Sequence, residues 1–111
     1  MHINGKLTLG ENTADNGGAR IALIALMHVL AGNMPGKVDG FTPEQRYFLS
    51  FGQIWCANER PEAVRLQVQT DPHSPPRYRV IGTVQNMPEF QKAFSCKAGQ
   101  PMAKPNACRV W

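Results

Sequence analysis

Apolar residues are gathered into runs and stripes along the chain. The longest run, Ile21-Ala22-Leu23-Ile24-Ala25-Leu26-Met27, together with the residues leading into it, predicts a helix from about Glu11 to about Leu30. Ala31-Gly32-Asn33 stops that helix with ordinary C-terminal chemistry. Upstream, Met1-His2-Ile3-Asn4-Gly5 reads as an extended segment turning at Asn4-Gly5, and Lys6-Leu7-Thr8-Leu9 alternates like a short edge strand or approach segment. Gly17-Gly18 falls inside the helix, each glycine costing about 1 kcal/mol relative to alanine. Paired glycines in such a place mark the close passage of another backbone or a local irregularity.

Met34-Pro35-Gly36 through Gly40 is a loop by composition, and Thr42-Pro43-Glu44-Gln45 then starts a second helix. Thr42 serves as N-cap, Pro43 takes the first helical position and Gln45 closes a capping box. Tyr47, Phe48, Phe51, Ile54 and Trp55 recur at spacings of three and four and form its core stripe. Arg60-Pro61-Glu62 opens a shorter helix carrying Val64, Leu66 and Val68. Asp71-Pro72-His73-Ser74-Pro75-Pro76 holds three prolines and predicts a stiff, turn-rich path. Arg77-Tyr78-Arg79-Val80-Ile81 reads as short and extended, Met87 to Phe94 as one more short helix, and the tail as irregular. Trp111 at the extreme end points to a docked terminus, against the usual fraying.

The 111 residues suffice for one domain and one core. A hydrophobic content of 42% and a charged content of 18% are globular values. The net charge of +4 is spread thinly, with no dense basic run and no aromatic platform interleaved with one, which argues against nucleic-acid binding. No stretch reaches the roughly 20 apolar residues that span a bilayer, so no membrane contact is expected from this segment. The start lacks the charged, apolar and small-residue order of a secretory leader, and Met1 reads as internal to a longer chain. Cys56, Cys96 and Cys108 are odd in number and lack metal-knuckle or redox spacing. They are free thiols, an intermolecular bond, or cysteines whose partners lie elsewhere; three buried reduced thiols would also pack well.

Two groups of residues carry candidate chemistry. Glu11 and Asp15 stand four apart at the start of the first helix and so share a face. Two acids so placed can act as a metal ligand and the group that orients another ligand. Acids near a helix N-terminus are also favoured by its macrodipole alone. His73, between prolines in the stiff loop, and Arg79, six residues on, can donate hydrogen bonds to developing negative charge, or serve as a turn histidine and a solvated cation.

Gly10-Glu11-Asn12-Thr13-Ala14-Asp15-Asn16-Gly17-Gly18 closely resembles the Glu-Asn-x-x-Asp motif of the neprilysin-like zinc metallopeptidases, peptidase family M13. The resemblance continues through Thr42-Pro43-Glu44-Gln45, Phe48-Leu49-Ser50-Phe51, Trp55-Cys56, Arg60-Pro61-Glu62, Thr70-Asp71-Pro72-His73-Ser74-Pro75 and Tyr78-Arg79-Val80. It takes in Pro88-Glu89-Phe90, Ala93-Phe94, Cys96 and Cys108-Arg109-Val110-Trp111, and so covers nearly all of residues 1–111 in order.

That resemblance implies a mainly α fold, the C-terminal helical part of a thermolysin-like (gluzincin) catalytic domain with a Pro-rich loop and a short extended segment. It implies Glu11 as the third ligand of one Zn2+ and Asp15 as the acid that orients a histidine ligand. It implies His73 as stabiliser of the tetrahedral oxyanion, and Arg79 as the group that binds a substrate carbonyl beside an apolar pocket near Trp55 and Val80. The implied substrates are oligopeptides. The His-Glu-x-x-His helix of the family is absent, since the histidines here are His2, His28 and His73. The remaining ligands and the general-base glutamate are therefore expected from a missing N-terminal part of the same polypeptide, and the chain alone is expected to be inactive. Cys56, Cys96 and Cys108 are implied to form disulfides with upstream cysteines, in a periplasmic, secreted or membrane-anchored ectodomain. The alternative is a non-catalytic helical interaction module derived from the same fold.

Overall fold

The computed structural model describes residues 2–110. The docked terminus expected at Trp111 lies outside them. Among the described residues the chain forms α1 (Leu9–Leu30), α2 (Pro43–Ile54), α3 (Pro61–Thr70), α4 (Pro76–Val84) and α5 (Pro88–Ala93). Four of the five open on proline, whose fixed φ suits the first helical position and whose missing N–H would have had no partner there. At α2 the capping box is complete. The Thr42 hydroxyl accepts from the Gln45 amide, and the Gln45 side chain accepts from the Thr42 amide.

The mainly α architecture and the stiff loop over residues 71–75 match the expectation. Two segments differ. Residues 77–81 are helical rather than extended, because Pro75 takes the extended conformation demanded of a residue before proline while Pro76 opens α4. Arg79 thus stands near the end of a first helical turn. Residues 6–9 form a turn and the start of α1 in place of a strand. Asn4 Oδ1 accepts from the backbone amides of Lys6 and Leu7, which folds the chain into α1 two residues before Glu11.

The core is built where α1, α2, α4 and α5 meet. Ala19, Leu23, Phe48, Val84 and Met87 are buried together, and Met27, Phe51, Val80, Phe90 and Phe94 pack around them. Phe48 lies edge-on to Phe90 with ring centroids 5.2 Å apart, an arrangement favoured by the ring quadrupoles. Its near-complete burial contributes about 1.5–3 kcal/mol. The Tyr47 hydroxyl donates to the Ala19 carbonyl at 2.5 Å and Gln45 Nε2 donates to the Ala93 carbonyl at 2.8 Å, tying α2 to α1 and α5. Burial pushes the Tyr47 phenol above its usual range.

Candidate metal centre

α1 presents Glu11 and Asp15 one turn apart, and the loop with α4 supplies a partner for each. His73 Nε2 lies 3.2 Å from Glu11 Oε2, with both side chains about 43% exposed. The other ring nitrogen, Nδ1, lies 2.7 Å from Asp71 Oδ1. The same oxygen accepts from the His73 backbone amide at 2.7 Å, closing an Asx turn on the ring it holds. Those bonds from His73, backbone first, hold the Asp71 carboxyl below the usual carboxylate range. A carboxylate oxygen thus stands at each ring nitrogen of His73.

Asp15 and Arg79 form a fork. Arg79 Nε donates to Asp15 Oδ2 and Nη2 to Oδ1, each at 2.6 Å. The two side chains are only 12% and 15% exposed, so losing either partner would strand a charge at a cost of about 3–5 kcal/mol. The hydrogen bonds from Arg79 to Asp15 hold the guanidinium firmly in its charged form. Its plane also lies 4.0 Å from the centroid of the Trp55 ring, a cation–π contact from the end of α2. Trp55 Nε1 is buried and makes no hydrogen bond among the described residues.

Of the residues singled out from sequence, Glu11, Asp15, His73, Arg79 and Trp55 therefore converge at one end of the α1–α4 pair. Val80, the next residue along, packs against the core. The sequence reading gave no role to Asp71, which sits inside a quoted motif two residues before His73. It also gave none to Asn12 and Asn16, which repeat the spacing of the acids one position further on. The available signal was the Asx-turn spacing of Asp71 from His73 and, for Asn12 and Asn16, their spacing of four from each other.

Glu11 offers a half-exposed carboxylate, a hard ligand of the right kind, with a histidine ring beside it. Among the described residues no group of three or more His, Cys, Asp or Glu could hold a metal ion. The residues present thus fit one ligand of a zinc site and the groups around it.

The helix continues in a telling way. Glu11, Asp15, Gly18, Ala22, Ala25 and Val29 follow one another at alternating spacings of four and three, the pattern of a helix-packing seam. The last four are exposed, and a Cβ added at Gly18 would meet nothing within 4 Å. The close passage of a backbone expected at Gly17-Gly18 is thus not made at Gly18 by any described residue, although Gly17 is buried. Cys56, Cys96 and Cys108 are free thiols, so no disulfide is present among the described residues. No helix among them is long and apolar enough to cross a membrane.

Comparison with known proteins bears on this geometry. The model of peptidase family M13 matches residues 1–110. An endothelin-converting enzyme homolog of Locusta migratoria is 44% identical over 115 aligned residues, covering 99% of this chain and 16% of that protein. Human endothelin-converting enzyme 1 is also 44% identical, covering 98% of this chain and 14% of its own length. Among solved structures, the open state of the Mycobacterium tuberculosis zinc metalloprotease Zmp1 superposes with a TM-score of 0.92 at 37% identity, over 99% of this chain and 17% of that one. The same enzyme in complex with an inhibitor superposes with a TM-score of 0.87 at 39% identity, over 91% of this chain and 15% of that one. The chain therefore spans about one-sixth of the length of the relatives it matches.

Proposed function

The chain belongs to peptidase family M13, and from that membership we propose that it is the C-terminal part of a zinc-dependent metalloendopeptidase that hydrolyses oligopeptides. It supplies one zinc ligand and the groups that stabilise the transition state, while an upstream segment of the same polypeptide supplies the rest. The observation that carries this reading is the pairing of Glu11 with His73 beside the partly buried Asp15–Arg79 fork.

In this reading Glu11 holds the metal through its carboxylate, and Asp15 accepts a hydrogen bond from an upstream histidine ligand while remaining tied to Arg79. Zinc, when bound, supplies polarisation of the scissile carbonyl and acidification of a water. His73, held by Asp71 at Nδ1, presents its Nε2–H to the oxygen on which negative charge develops. The fork engages Nε and Nη2 of Arg79, which leaves Nη1 to donate to a substrate carbonyl. Trp55 and Val80 line the apolar pocket next to it. The exposed seam of Gly18, Ala22, Ala25 and Val29 supports an upstream helix packed closely against α1, because small side chains let two helix axes approach. Cys56, Cys96 and Cys108 pair with upstream cysteines in an extracytoplasmic parent protein.

The test is direct. Expressed with its upstream sequence, the protein should cleave oligopeptides, lose that activity to a chelator and regain it with zinc; cleavage indifferent to metal removal would overturn the reading. The 111-residue chain alone should bind zinc weakly, and micromolar binding by calorimetry that disappears in Glu11→Ala would show the site to be more than a half. A non-catalytic interaction module is the reading that survives if no in-frame His-Glu-x-x-His lies upstream.

A further inference from the structure

Beside the charged row of Glu11 and Asp15, α1 carries a neutral row one residue further on, Asn12 and Asn16, and its partners come from the same part of the chain. Ser74 Oγ donates to Asn12 Oδ1 at 2.9 Å, and Asn12 Nδ2 donates to Thr8 Oγ1 at 3.0 Å. Asn86 Nδ2 donates to Asn16 Oδ1 at 2.9 Å. The dipeptide Glu11-Asn12 thus meets the dipeptide His73-Ser74 through two parallel contacts, one made by a carboxylate and one between uncharged side chains.

The two contacts differ in what they can hold. The Glu11–His73 contact is half-exposed, where solvent leaves an ion pair little worth, and it must loosen whenever Glu11 serves a metal or His73 serves a substrate. The Ser74–Asn12 bond carries no net charge, and Ser74 is only 4% exposed. It can persist unchanged while its neighbours exchange partners. Ser74 stands between His73 and Pro75, with Pro72 on the far side, so the segment has little backbone freedom. Fixing Ser74 to α1 therefore fixes where the His73 ring can reach.

We propose that Asn12 and Ser74 are positioning residues that set the distance between the His73 ring and the Glu11 carboxylate through their hydrogen bond. This rests on the reading of Glu11 as a zinc ligand and His73 as an oxyanion donor. Misplacing a reacting group by about 1 Å can cost about 10²-fold in rate, so a lost positioning bond should act on turnover before it acts on binding.

The experiment uses the full-length peptidase carrying this segment. Ser74→Ala should lower kcat about tenfold or more, with KM, zinc content and melting temperature close to those of the parent. Ser74→Thr, which keeps the hydroxyl, should recover most of the loss. Asn12→Ala combined with Ser74→Ala should be no slower than the slower single variant, because both remove one bond. The inference is overturned if Ser74→Ala turns over like the parent, if its loss merely follows a fall in zinc content or folded fraction, or if the two substitutions multiply. A full-length protein without zinc-dependent peptidase activity would instead sink the functional reading itself.

Discussion

On the side of α1 that meets the 71–75 loop and α4, polar groups stand one turn apart and each has a partner within this chain. Glu11 meets His73, Asn12 meets Ser74, Asp15 meets Arg79 and Asn16 meets Asn86. Further along α1, Gly18, Ala22, Ala25 and Val29 on the same stripe, with Ile21 beside them, are exposed, and Ile21 and Val29 leave 53% and 77% of their surface in water. The same helix is finished over its first two turns and unfinished beyond them. An ordinary surface helix puts charge on its outer face; this one puts small apolar residues there, which is what a buried helix does. The difference teaches that the polar turns can be interpreted from this chain alone, whereas the apolar turns gain a meaning only beneath the proposed upstream helix.

The sharpest way to break that comparison is at Glu11, the acid that begins both the polar cluster and the seam. In the full-length peptidase, Glu11→Ala should abolish both zinc retention and turnover, read by metal analysis after dialysis and by peptide hydrolysis. His73→Ala should keep the metal and lower kcat by about 10²-fold or more, the magnitude of losing an oxyanion donor. If the metal leaves with the histidine, His73 belongs to the ligand set and its role has been misassigned.

A smaller effect separates the charge of the fork from its shape. Arg79→Lys keeps a cation near Asp15 but gives up the second hydrogen bond and the stacking on Trp55. A hydrogen bond to a charged group is worth about 1.5–3 kcal/mol, so kcat/KM should fall about tenfold or more. A variant as active as the parent would mean that only the charge matters there.

How much of this could be read in the sequence follows from which signals are local. The α2 start was legible because Thr42, Pro43 and Gln45 specify it within four residues, and Glu11 and Asp15 because i, i+4 acids on a predicted helix must share a face. α4 was misread because proline carries opposite meanings at adjacent positions. Pro75 holds its segment extended, whereas Pro76, with the same ring, begins a helix. At Lys6–Leu9 alternation left a short strand or an approach segment open; no strand forms, because the turn expected at Asn4-Gly5, held by the Asn4 side chain, leads straight into α1. Asn12 and Asn16 went unnoticed because asparagine in a helix has low propensity and no fixed role until its partner, 62 or 70 residues away, is in place.

The outer face offers a prediction whose sign depends on context. Gly18→Leu meets open space in the 111-residue chain and removes a helix penalty of about 1 kcal/mol, so helix content by circular dichroism should hold or rise. In the full-length protein the same side chain should intrude on the helix seated over the seam, costing about 1–3 kcal/mol and lowering the unfolding temperature. The same gain in both contexts would show that nothing covers that face.

The least effect belongs to Asp71, the half-exposed partner of His73. Asp71 accepts from the His73 amide and ring, and those bonds hold its carboxyl below the ordinary value of about 3.9. A carboxyl lowered on folding contributes stability that is fully present above its unfolded value. That stability is lost as pH falls from about 4 through the lowered native value. Hydrogen exchange at the His73 amide should therefore stay slow below the pH at which an ordinary carboxylate protonates. In Asp71→Asn it should be a few-fold faster at neutral pH and show no acid-dependent step in that window. Protection that already fails near pH 4 in the unaltered protein would mean that the turn does not grip the carboxylate, and that the orientation of His73 rests on Ser74 and Asn12 alone.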